Sequence, residues 1–405
     1  MQPLITTDFT SSNSLNSRSP ASFDFTPRTR LVFGTGTFGQ LGTIAVELKA
    51  NRVLLVTDPG LRDAGHSETA CRVLQEAGMQ VFVFDAVTQN PTTDDVNKCV
   101  EFASPLRIDL IVGLGGGSSM DCAKGANFLL TNGGQMHDYK GIGRATQPML
   151  PMIAIPTTSG TGSEAQSFAV IADAKTHTKM ACGDSKAACR VAILDPELTV
   201  TMPPSVAAAT GIDAMTHAIE SFVTTKRNPF SQMFARNAWS LLAQSFATVL
   251  REPGNLAARG NMQLGAFFAG TSIEASMLGA AHAAANPLTA HFGTVHGHAV
   301  GMLLPHIIRW NSVVAADLYH DLATAAGWCN ASAKSGTAVE ILADGFTELL
   351  RLADMPVSLS QTIDADIDDS LITRLADEAA QQWTGTFNPR KMDVEAFVQV
   401  YRNAL

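Results

Sequence analysis

Short runs of apolar, often β-branched residues recur along the first half of the chain, and each is followed by a stretch with helical periodicity. Runs that are almost continuous in hydrophobic residues are typical of strands buried on both faces of a sheet. The first three begin about 28 residues apart, which is the spacing of βαβ units. The predicted strands cover residues 52–58, 79–85, 108–115, 152–158 and 191–195. The pattern predicts a doubly wound α/β domain with a mostly parallel sheet over residues 28–204.

The pattern changes after Pro203 and Pro204, where strand-like alternation becomes scarce and alanine-rich stretches begin. Apolar positions in these stretches recur with a helical period. The predicted helices cover residues 205–223, 230–250, 256–281, 315–328 and 338–352. We therefore expect residues 205–405 to be all-helical. Residues 1–27 are rich in serine and threonine, and we expect them to form a polar arm.

Composition argues against several classes of protein. The 405 residues exceed the roughly 250–300 at which a single core stops growing, so two domains are expected. The net charge of −9 and the lack of a long basic block disfavour a nucleic-acid or anionic-membrane partner. No apolar run reaches the roughly 18 residues that a membrane helix needs. The six cysteines are scattered without a CxxC pair, which predicts reduced thiols in a cytoplasmic protein.

A literal G-x-G-x-x-G match runs from Gly34 to Gly39, and Asp58 follows about twenty residues later, as in a dinucleotide fingerprint. That fingerprint requires a long buried strand directly before the first glycine. Only the short run 30–33 precedes this match, and the chain holds 32 glycines, so the motif alone is weak. We expect a tight turn at this point.

A stronger signal is the segment 115–118, Gly-Gly-Gly-Ser, which directly follows the predicted strand 108–115 and opens a helix at Asp121. Glycines let the backbone approach a pyrophosphate, and a helix N-terminus offers free N–H groups. The hydroxyl-rich segment 156–163 follows the next strand and is expected to form a second wall of a nucleotide cleft. Asp58 also ends a strand, where a carboxylate accepts hydrogen bonds from a ribose diol and favours NAD over NADP.

A metal site is predicted by a histidine cluster in the second half of the chain. Asp213 and His217 lie four residues apart in a helical segment, so they share one helix face. One carboxylate with three imidazoles suits Fe²⁺ or Zn²⁺. The i,i+4 pair alone is a weak signal, and the cluster strengthens it. Five of the ten histidines fall in a short stretch: His282, His291, His296, His298 and His306.

Taken together, these motifs resemble the iron-containing (group III) alcohol dehydrogenases from about residue 27 to the C-terminus. The resemblance implies an α/β nucleotide-binding domain and a helical domain in a dehydroquinate synthase-like architecture, with NAD(P) and one metal in the cleft between them. Several long motifs in the right order make it specific. They are the segments 90–92, 115–118, 156–164, 195–198, 211–220, 296–297 and 303–306.

The resemblance also implies roles for individual residues, by motif position. The implied metal ligands are Asp213, His217, His282 and His296. The implied nucleotide contacts are Asp58, Asn90, Gly115, Gly116, Gly117, Ser118, Asp121, Thr157, Thr158, Thr161 and Lys179. In this family the pyrophosphate lies at residues 116–118, which leaves Gly34 to Gly39 as a turn.

The chain departs from the family at Asn286, where a second histidine commonly follows His282 by four residues and lies near the nicotinamide. Asparagine forms hydrogen bonds but does not titrate near neutral pH, so a proton relay at this catalytic position is in doubt. We expect the proton to leave through water and the cofactor ribose instead. The four ligand positions are intact, which argues against an inactive enzyme.

The sequence thus predicts a metal-dependent dehydrogenase that passes hydride between NAD and a small primary alcohol or aldehyde, with Fe²⁺ expected and Zn²⁺ as the alternative. A homodimer or larger homo-oligomer is expected. Two activities on the same scaffold remain as alternatives, a hydroxyacid–oxoacid transhydrogenase and a maleylacetate-type reductase. A lyase resembling dehydroquinate synthase and a non-catalytic NAD-binding protein are more distant ones. Phe168, Phe267 and Phe268 are expected in the core rather than in a substrate pocket.

Overall fold

The computed structural model describes residues 22–176, 178–364 and 366–405. Most of the predicted polar arm at 1–27 therefore lies outside the described residues. The chain passes from strands to helices at Pro204.

A six-stranded parallel sheet forms the centre of the first half of the chain. All five predicted strands are confirmed, and the short run at 30–33 adds an edge strand. The strands of this sheet are β1 (Arg30–Phe33), β2 (Arg52–Val56), β3 (Gln80–Phe84), β4 (Leu110–Gly115), β6 (Met152–Pro156) and β9 (Val191–Leu194). Their order across the sheet is β1-β9-β6-β4-β2-β3, and the remaining three strands form a second sheet.

Helices cover both faces of this sheet, which explains why its strands are almost continuously hydrophobic. Along β4, Leu110 and Val112 pack into the core on one face, whereas Ile111 between them packs into the core on the other. The helices between the strands are α1 (Leu41–Glu47), α2 (Pro59–Asp63), α3 (His66–Glu76), α4 (Thr93–Ala103) and α5 (Gly117–Asn132). The predicted doubly wound α/β fold is confirmed.

The strand order reverses at β2, which pairs with β3 on one side and with β4 on the other. In open parallel sheets ligands bind outside the carboxyl ends of the strands, at this reversal. Asp58 follows β2 and Gly115 ends β4, so both lie at the edge where a cleft is expected.

A second, three-stranded sheet was not predicted. It consists of β5 (Gly141–Ile142), β7 (Phe168–Ala172) and β8 (Lys179–Gly183), in the order β5-β8-β7. β7 and β8 are antiparallel and close in sequence, so they lack the βαβ spacing that indicated the other strands. This sheet carries Lys179 at the start of β8.

The second half of the described chain is helical, as predicted, around one large hydrophobic core. Predicted helices 205–223, 230–250 and 338–352 are confirmed within two or three residues. The helices are α6 (Pro204–Val223), α7 (Pro229–Arg251), α8 (Leu256–Ala275), α9 (Ala280–Phe292), α10 (His296–Ala325), α11 (Ser335–Leu352), α12 (Asp369–Ala380) and α13 (Val394–Asn403).

The single helix predicted for residues 256–281 is wrong beyond Ala275. The backbone leaves the helical region at Ser276 and Gly279, and α9 starts at Ala280 after a bend of 105°. Alanine-rich sequence on both sides hides this break from a periodicity argument. The bend turns the start of α9 towards α6, and this places His282 near the predicted metal site.

Helix α10 has the length and hydropathy of a helix that could cross a membrane. Helices α8 and α9 would have them too if the bent pair formed a single span. In the 18-residue apolar stretch of α10, 61% is buried within the protein, as in a core helix.

Candidate active site

The glycine segment 115–118 forms the turn between β4 and α5. Gly115 has φ = 147°, a conformation that favours glycine, and a Cβ atom there would lie 2.4 Å from Ser119 Oγ. Gly116 is the N-cap of α5 and supplies no capping side chain, so the first N–H groups of this helix have no intrahelical partner. Such a turn can hold an anionic phosphate at the helix N-terminus.

The hydroxyl-rich segment 156–163 lies directly against this turn, as predicted. The N–H group of Thr157 donates to the carbonyl oxygen of Gly115 at 3.0 Å. A Cβ atom on Gly116 would come within 3.3 Å of the methyl group of Thr158, and one on Gly117 within 2.6 Å of that of Thr161. The two loops thus approach each other so closely that only glycine fits at positions 116 and 117.

Asp58 and Asn90 border the same turn. Asp58 caps α2 by accepting the N–H group of Leu61 at 3.3 Å, and its Oδ2 accepts a hydrogen bond from Ser119 Oγ at 3.3 Å. Asn90 adopts φ = 53°, is exposed, and donates its N–H group to Ser118 Oγ at 3.2 Å. The structure therefore brings both predicted residues to the glycine turn.

The early glycine motif is a turn, as expected. Gly34 and Gly36 have φ angles of 140° and 77°, and residues 37–40 form a short 3-10 helix after the edge strand β1. The N–H group of Phe38 donates to Asp195 Oδ2 at 2.9 Å, which fixes this turn to the end of β9.

Beneath the glycine turn, a buried lysine ties α5 to the second loop. Lys124 is fully buried, and its Nζ donates to the carbonyl oxygens of Ser163, Gln166 and Phe168 at 2.6, 2.8 and 2.9 Å. Ser163 Oγ in turn donates to Asp121 Oδ1 at 2.7 Å. Asp121 thus supports the loop through Ser163. The sequence analysis missed Lys124, which stands inside an apolar helix where a charged residue is itself a signal.

Burial also shifts the acidic groups of this network. It raises the pKa of Asp121, and the charge of Lys124 and the hydrogen bond from Ser163 offset part of that effect. Burial raises the pKa of Glu164 to about 7, again partly offset by its own backbone N–H group and by Lys124.

The four predicted metal-ligand side chains converge from three helices. Asp213 and His217 lie on α6, His282 lies in the first turn of α9, and His296 begins α10. The Nε2 atoms of His217, His282 and His296 lie 3.4, 3.4 and 3.7 Å from Asp213 Oδ1. The first three residues form the tightest group, with one ligand atom from each within 4.8 Å of the others. Close packing of α10 on α6 brings in the fourth, because a Cβ atom on Gly297 would lie 2.1 Å from the carbonyl oxygen of Ala209.

These residues fit a divalent metal. Asp213 Oδ1 and His282 Nε2 are buried without a hydrogen-bond partner, which is costly unless a further group binds there. Four N and O ligands at about 2.1 Å in a tetrahedron stand about 3.4 Å apart, close to the distances from Asp213 Oδ1 to the three Nε2 atoms. The donor set of one carboxylate and three imidazoles is typical of iron and zinc sites.

The electrostatics of the cluster favour ligation at three of the four positions, Asp213, His217 and His296. Burial alone raises the pKa of Asp213, but the surrounding imidazoles outweigh it and lower this pKa well below its usual range. Burial lowers the pKa of His217 and lowers that of His296 further. For His282, burial lowers the pKa, but Glu220 and Asp213 outweigh this and raise it to about 9. An ionised Asp213 beside neutral His217 and His296 is ready to bind a metal, whereas His282 must release one proton when the metal binds.

Lys179 interacts electrostatically with carboxylates of both groups of residues. Burial lowers its pKa, and the carboxylates of Asp213 and Asp121 offset part of that effect, so both are close enough to act on its charge. A Cβ atom on Gly160 would lie 2.5 Å from Thr210 Cβ, so the loop that borders the glycine turn also packs against α6, the helix of Asp213 and His217.

Two further residues complete the surroundings of His282. Glu220 Oε2 lies 2.6 Å from His282 Nδ1, and Asn286 Nδ2 donates to Gln382 Oε1 at 3.0 Å. Glu220 ends the segment 211–220 that the sequence analysis singled out, but it received no role there. Its spacing of seven residues from Asp213, two helical turns, was the available signal.

Two family models match the chain, and together they cover most of it. Residues 27–196 match the model described as "Iron-containing alcohol dehydrogenase". Residues 207–405 match the model described as "Fe-containing alcohol dehydrogenase family, C-terminal".

Individual proteins match over nearly the whole chain. The NAD-dependent methanol dehydrogenase of Bacillus methanolicus is 30% identical over 374 residues, which cover 92% of this chain and 97% of that protein. The 1,3-propanediol dehydrogenase of Citrobacter freundii is 31% identical over 384 residues, 94% of this chain and 98% of that protein.

Solved structures agree with this fold. The crystal structure of a 1,3-propanediol oxidoreductase is similar with a TM-score of 0.91 at 30% identity, covering 95% of this chain and 100% of that one. The family models, the relatives and this structure all indicate one group of enzymes. The chain therefore belongs to the iron-containing alcohol dehydrogenase family, whose members are oxidoreductases that act on CH–OH groups.

Proposed function

We propose that this enzyme is a metal-dependent, NAD-linked alcohol dehydrogenase and aldehyde reductase for small primary alcohols and aldehydes. The observation that carries the proposal is the convergence of Asp213, His217, His282 and His296 beside the glycine turn. Buried atoms without partners at this point need a cation to satisfy them.

The proposed cofactor site is the turn at residues 115–118, with the second loop at Thr157, Thr158 and Thr161 as its other wall. The free N–H groups of α5 would hold the pyrophosphate. Asp58 supports NAD over NADP, because a carboxylate at the end of β2 repels a 2′-phosphate. The similarity to an NAD-dependent methanol dehydrogenase points the same way.

The proposed metal ligands are the four converging side chains, and the family description favours Fe²⁺, with Zn²⁺ as the alternative. When bound, NAD supplies the hydride acceptor and the metal supplies a Lewis acid that lowers the pKa of the alcohol. The charge of Lys179 interacts with the carboxylates of Asp213 and Asp121. We infer that residues 28–204 and 205–405 act as two domains with this cleft between them.

The side chain at position 286 acts differently from a histidine. Asn286 stands one helical turn after His282, and its amide already donates to Gln382. An amide exchanges no proton near neutral pH, so Asn286 orients its surroundings rather than relaying a proton. The proton of the alcohol is then passed to water.

The partners and the cellular compartment of the enzyme are proposed from its charge and its cysteines. The substrate is a small molecule, and no nucleic-acid or membrane partner is expected. The six cysteines are free thiols, which supports a reducing compartment such as the cytoplasm. We expect a homodimer or larger homo-oligomer.

Metal analysis of the purified protein, combined with NADH formation at 340 nm across a panel of alcohols, tests the proposal. His282→Ala and His296→Ala should lose both bound metal and turnover. His291→Ala is the matched control, because His291 is exposed and pairs with Glu378 away from the cluster. Full activity in a metal-free protein would overturn the proposal. Tightly bound NAD without net release of NADH would indicate the transhydrogenase instead.

A further inference from the structure

We propose that Glu220 is a positioning residue that holds His282 in the one ring orientation and tautomer able to bind the metal. This rests on the metal site proposed above. Glu220 is itself not a ligand, because it reaches the site only through His282.

Glu220 is buried, with 3% of its surface exposed, and each of its carboxylate oxygens accepts one hydrogen bond. Oε2 lies 2.6 Å from Nδ1 of His282. Oε1 accepts the backbone N–H group of Ala281 at 2.6 Å. The two donors are adjacent residues in the first turn of α9, so one carboxylate holds both the helix end and the imidazole.

This pairing decides which nitrogen of His282 is free. A carboxylate in this setting only accepts hydrogen bonds, so Nδ1 must carry the hydrogen. In the neutral ring that binds a metal, Nε2 is then the nitrogen with the lone pair, and it is the buried atom without a partner that lies 3.4 Å from Asp213 Oδ1. Carboxylate–histidine–metal arrangements of this kind orient the ring and raise the basicity of the ligand.

The same residue explains why α9 starts where it does. Gly279, the N-cap of α9, has no side chain to cap the helix, and Glu220 supplies the missing acceptor. A carboxylate is also favoured at this end by the helix dipole. A Cβ atom on Gly279 would lie 2.9 Å from Glu220 Oε1, so the close approach requires glycine.

Helix α6 thus contributes three groups from one face. Asp213, His217 and Glu220 follow each other at intervals of four and three residues, which places them in line along the helix. The first two face the metal position directly, and the third fixes a ligand that comes from another helix.

Glutamine cannot replace Glu220 in this role. Its side chain has one oxygen acceptor and one amide donor, whereas Ala281 and His282 present two donors. Either the N–H group of Ala281 loses its acceptor, or the His282 ring accepts from the amide and carries its hydrogen on Nε2. Both outcomes weaken metal binding while the shape of the side chain is kept.

The test is the affinity of the full-length, chelator-treated protein for Zn²⁺, measured by competition with a chromophoric chelator. Glu220→Gln should raise the Kd about 10- to 100-fold. Glu274→Gln is the matched control, because Glu274 also accepts a backbone N–H group and a side-chain donor, both from Ser167, at 3.0 and 2.6 Å. It should keep the wild-type Kd within about twofold, and NADH binding should be unchanged in both variants.

Wild-type Zn²⁺ affinity in a folded Glu220→Gln protein would overturn this inference. Failure of the wild-type protein to bind Zn²⁺ at all would instead overturn the proposed metal site. If the glutamine variant does not fold, Gly279→Ala decides the question, since its methyl group displaces the carboxylate without removing it. Reduced Zn²⁺ affinity in that variant supports the inference, and unchanged affinity contradicts it.

Discussion

Gly117 lies so close to Thr161 that a Cβ atom at position 117 would come within 2.6 Å of the threonine methyl group. The contact joins the glycine turn after β4 to the loop after β6. Any side chain at position 117 must push the two loops apart, at the point where the dinucleotide is proposed to bind.

Gly117→Ala should therefore weaken NADH binding about tenfold or more, because overpacking costs about 1–3 kcal/mol. Fluorescence titration with NADH measures the Kd directly. Gly39→Ala is the control from the other glycine motif, since a Cβ atom there meets nothing within 4 Å. Equal losses in the two variants would show that the cofactor does not lie at the later turn.

Asn286→His should add a proton acceptor beside His282. The pH profile of kcat/KM for alcohol oxidation should gain a limb that rises between about pH 6 and 7, where an ordinary imidazole loses its proton. Asn286→Gln adds bulk without a titrating group and should keep the wild-type profile. A histidine variant whose profile superimposes on that of the wild type would show that position 286 does not carry the proton.

Trp383→Ala should widen the substrate range. Trp383 follows Gln382, the partner of Asn286, is 40% exposed, and has its ring 6.5 Å from that of Phe168 in the small sheet. We expect it to narrow the entrance to the site. The ratio of kcat/KM for 1-hexanol to that for ethanol should rise about tenfold, as one methylene in an apolar pocket is worth about 1–3 kcal/mol.

Val313→Ala is the control for this experiment, because Val313 is 75% exposed on α10. It should leave the ratio unchanged. If Trp383→Ala also leaves the ratio unchanged, Trp383 does not narrow the substrate entrance.

Glu164→Gln should alter how stability depends on pH. Burial raises the pKa of Glu164 from 4.5 to about 7 in the folded protein. Between these values the folded state binds more protons than the unfolded chain, so the free energy of unfolding falls as pH rises. At about 1.4 kcal/mol for each pH unit, the full effect is about 3 kcal/mol, and it is complete above about pH 7.

The measurement is urea denaturation of chelator-treated protein between pH 4 and 8. The glutamine variant should lose this part of the slope, whereas Glu197→Gln, at an exposed position, should retain it. If the free energy of unfolding depends on pH in the same way in wild type and Glu164→Gln, the expectation is wrong.

Local sequence patterns were enough for much of the fold. Strand β4 is apolar at every position because both of its faces are buried, and α7 shows helical periodicity with a proline at its start. The small sheet and the break after Ala275 were missed. The antiparallel pair β7 and β8 lacks the βαβ spacing that indicated the other strands, and the alanines around residues 276–279 suit a continuing helix as well as a bend.

The residues of the candidate site divide in the same way. The pairing of Asp213 with His217 follows from helix geometry, and the glycine turn follows from its place between a strand and a helix. The resemblance to a family added His282 and His296. The charge of Lys124 inside an apolar helix marks it as unusual, but its role as the support of the second loop depends on three carbonyl acceptors 39 to 44 residues away.

The sequence by itself determined the chemistry that this protein can carry: a carboxylate, imidazoles, a glycine turn and an amide at position 286. Only the tertiary structure decided which nitrogen of His282 is free, since that depends on Glu220 meeting the start of a helix sixty residues later. Periodicity reports which face of a helix is buried, because it reflects local geometry. Hydrogen bonds between distant helices depend on how the helices pack, and that packing is a property of the whole core.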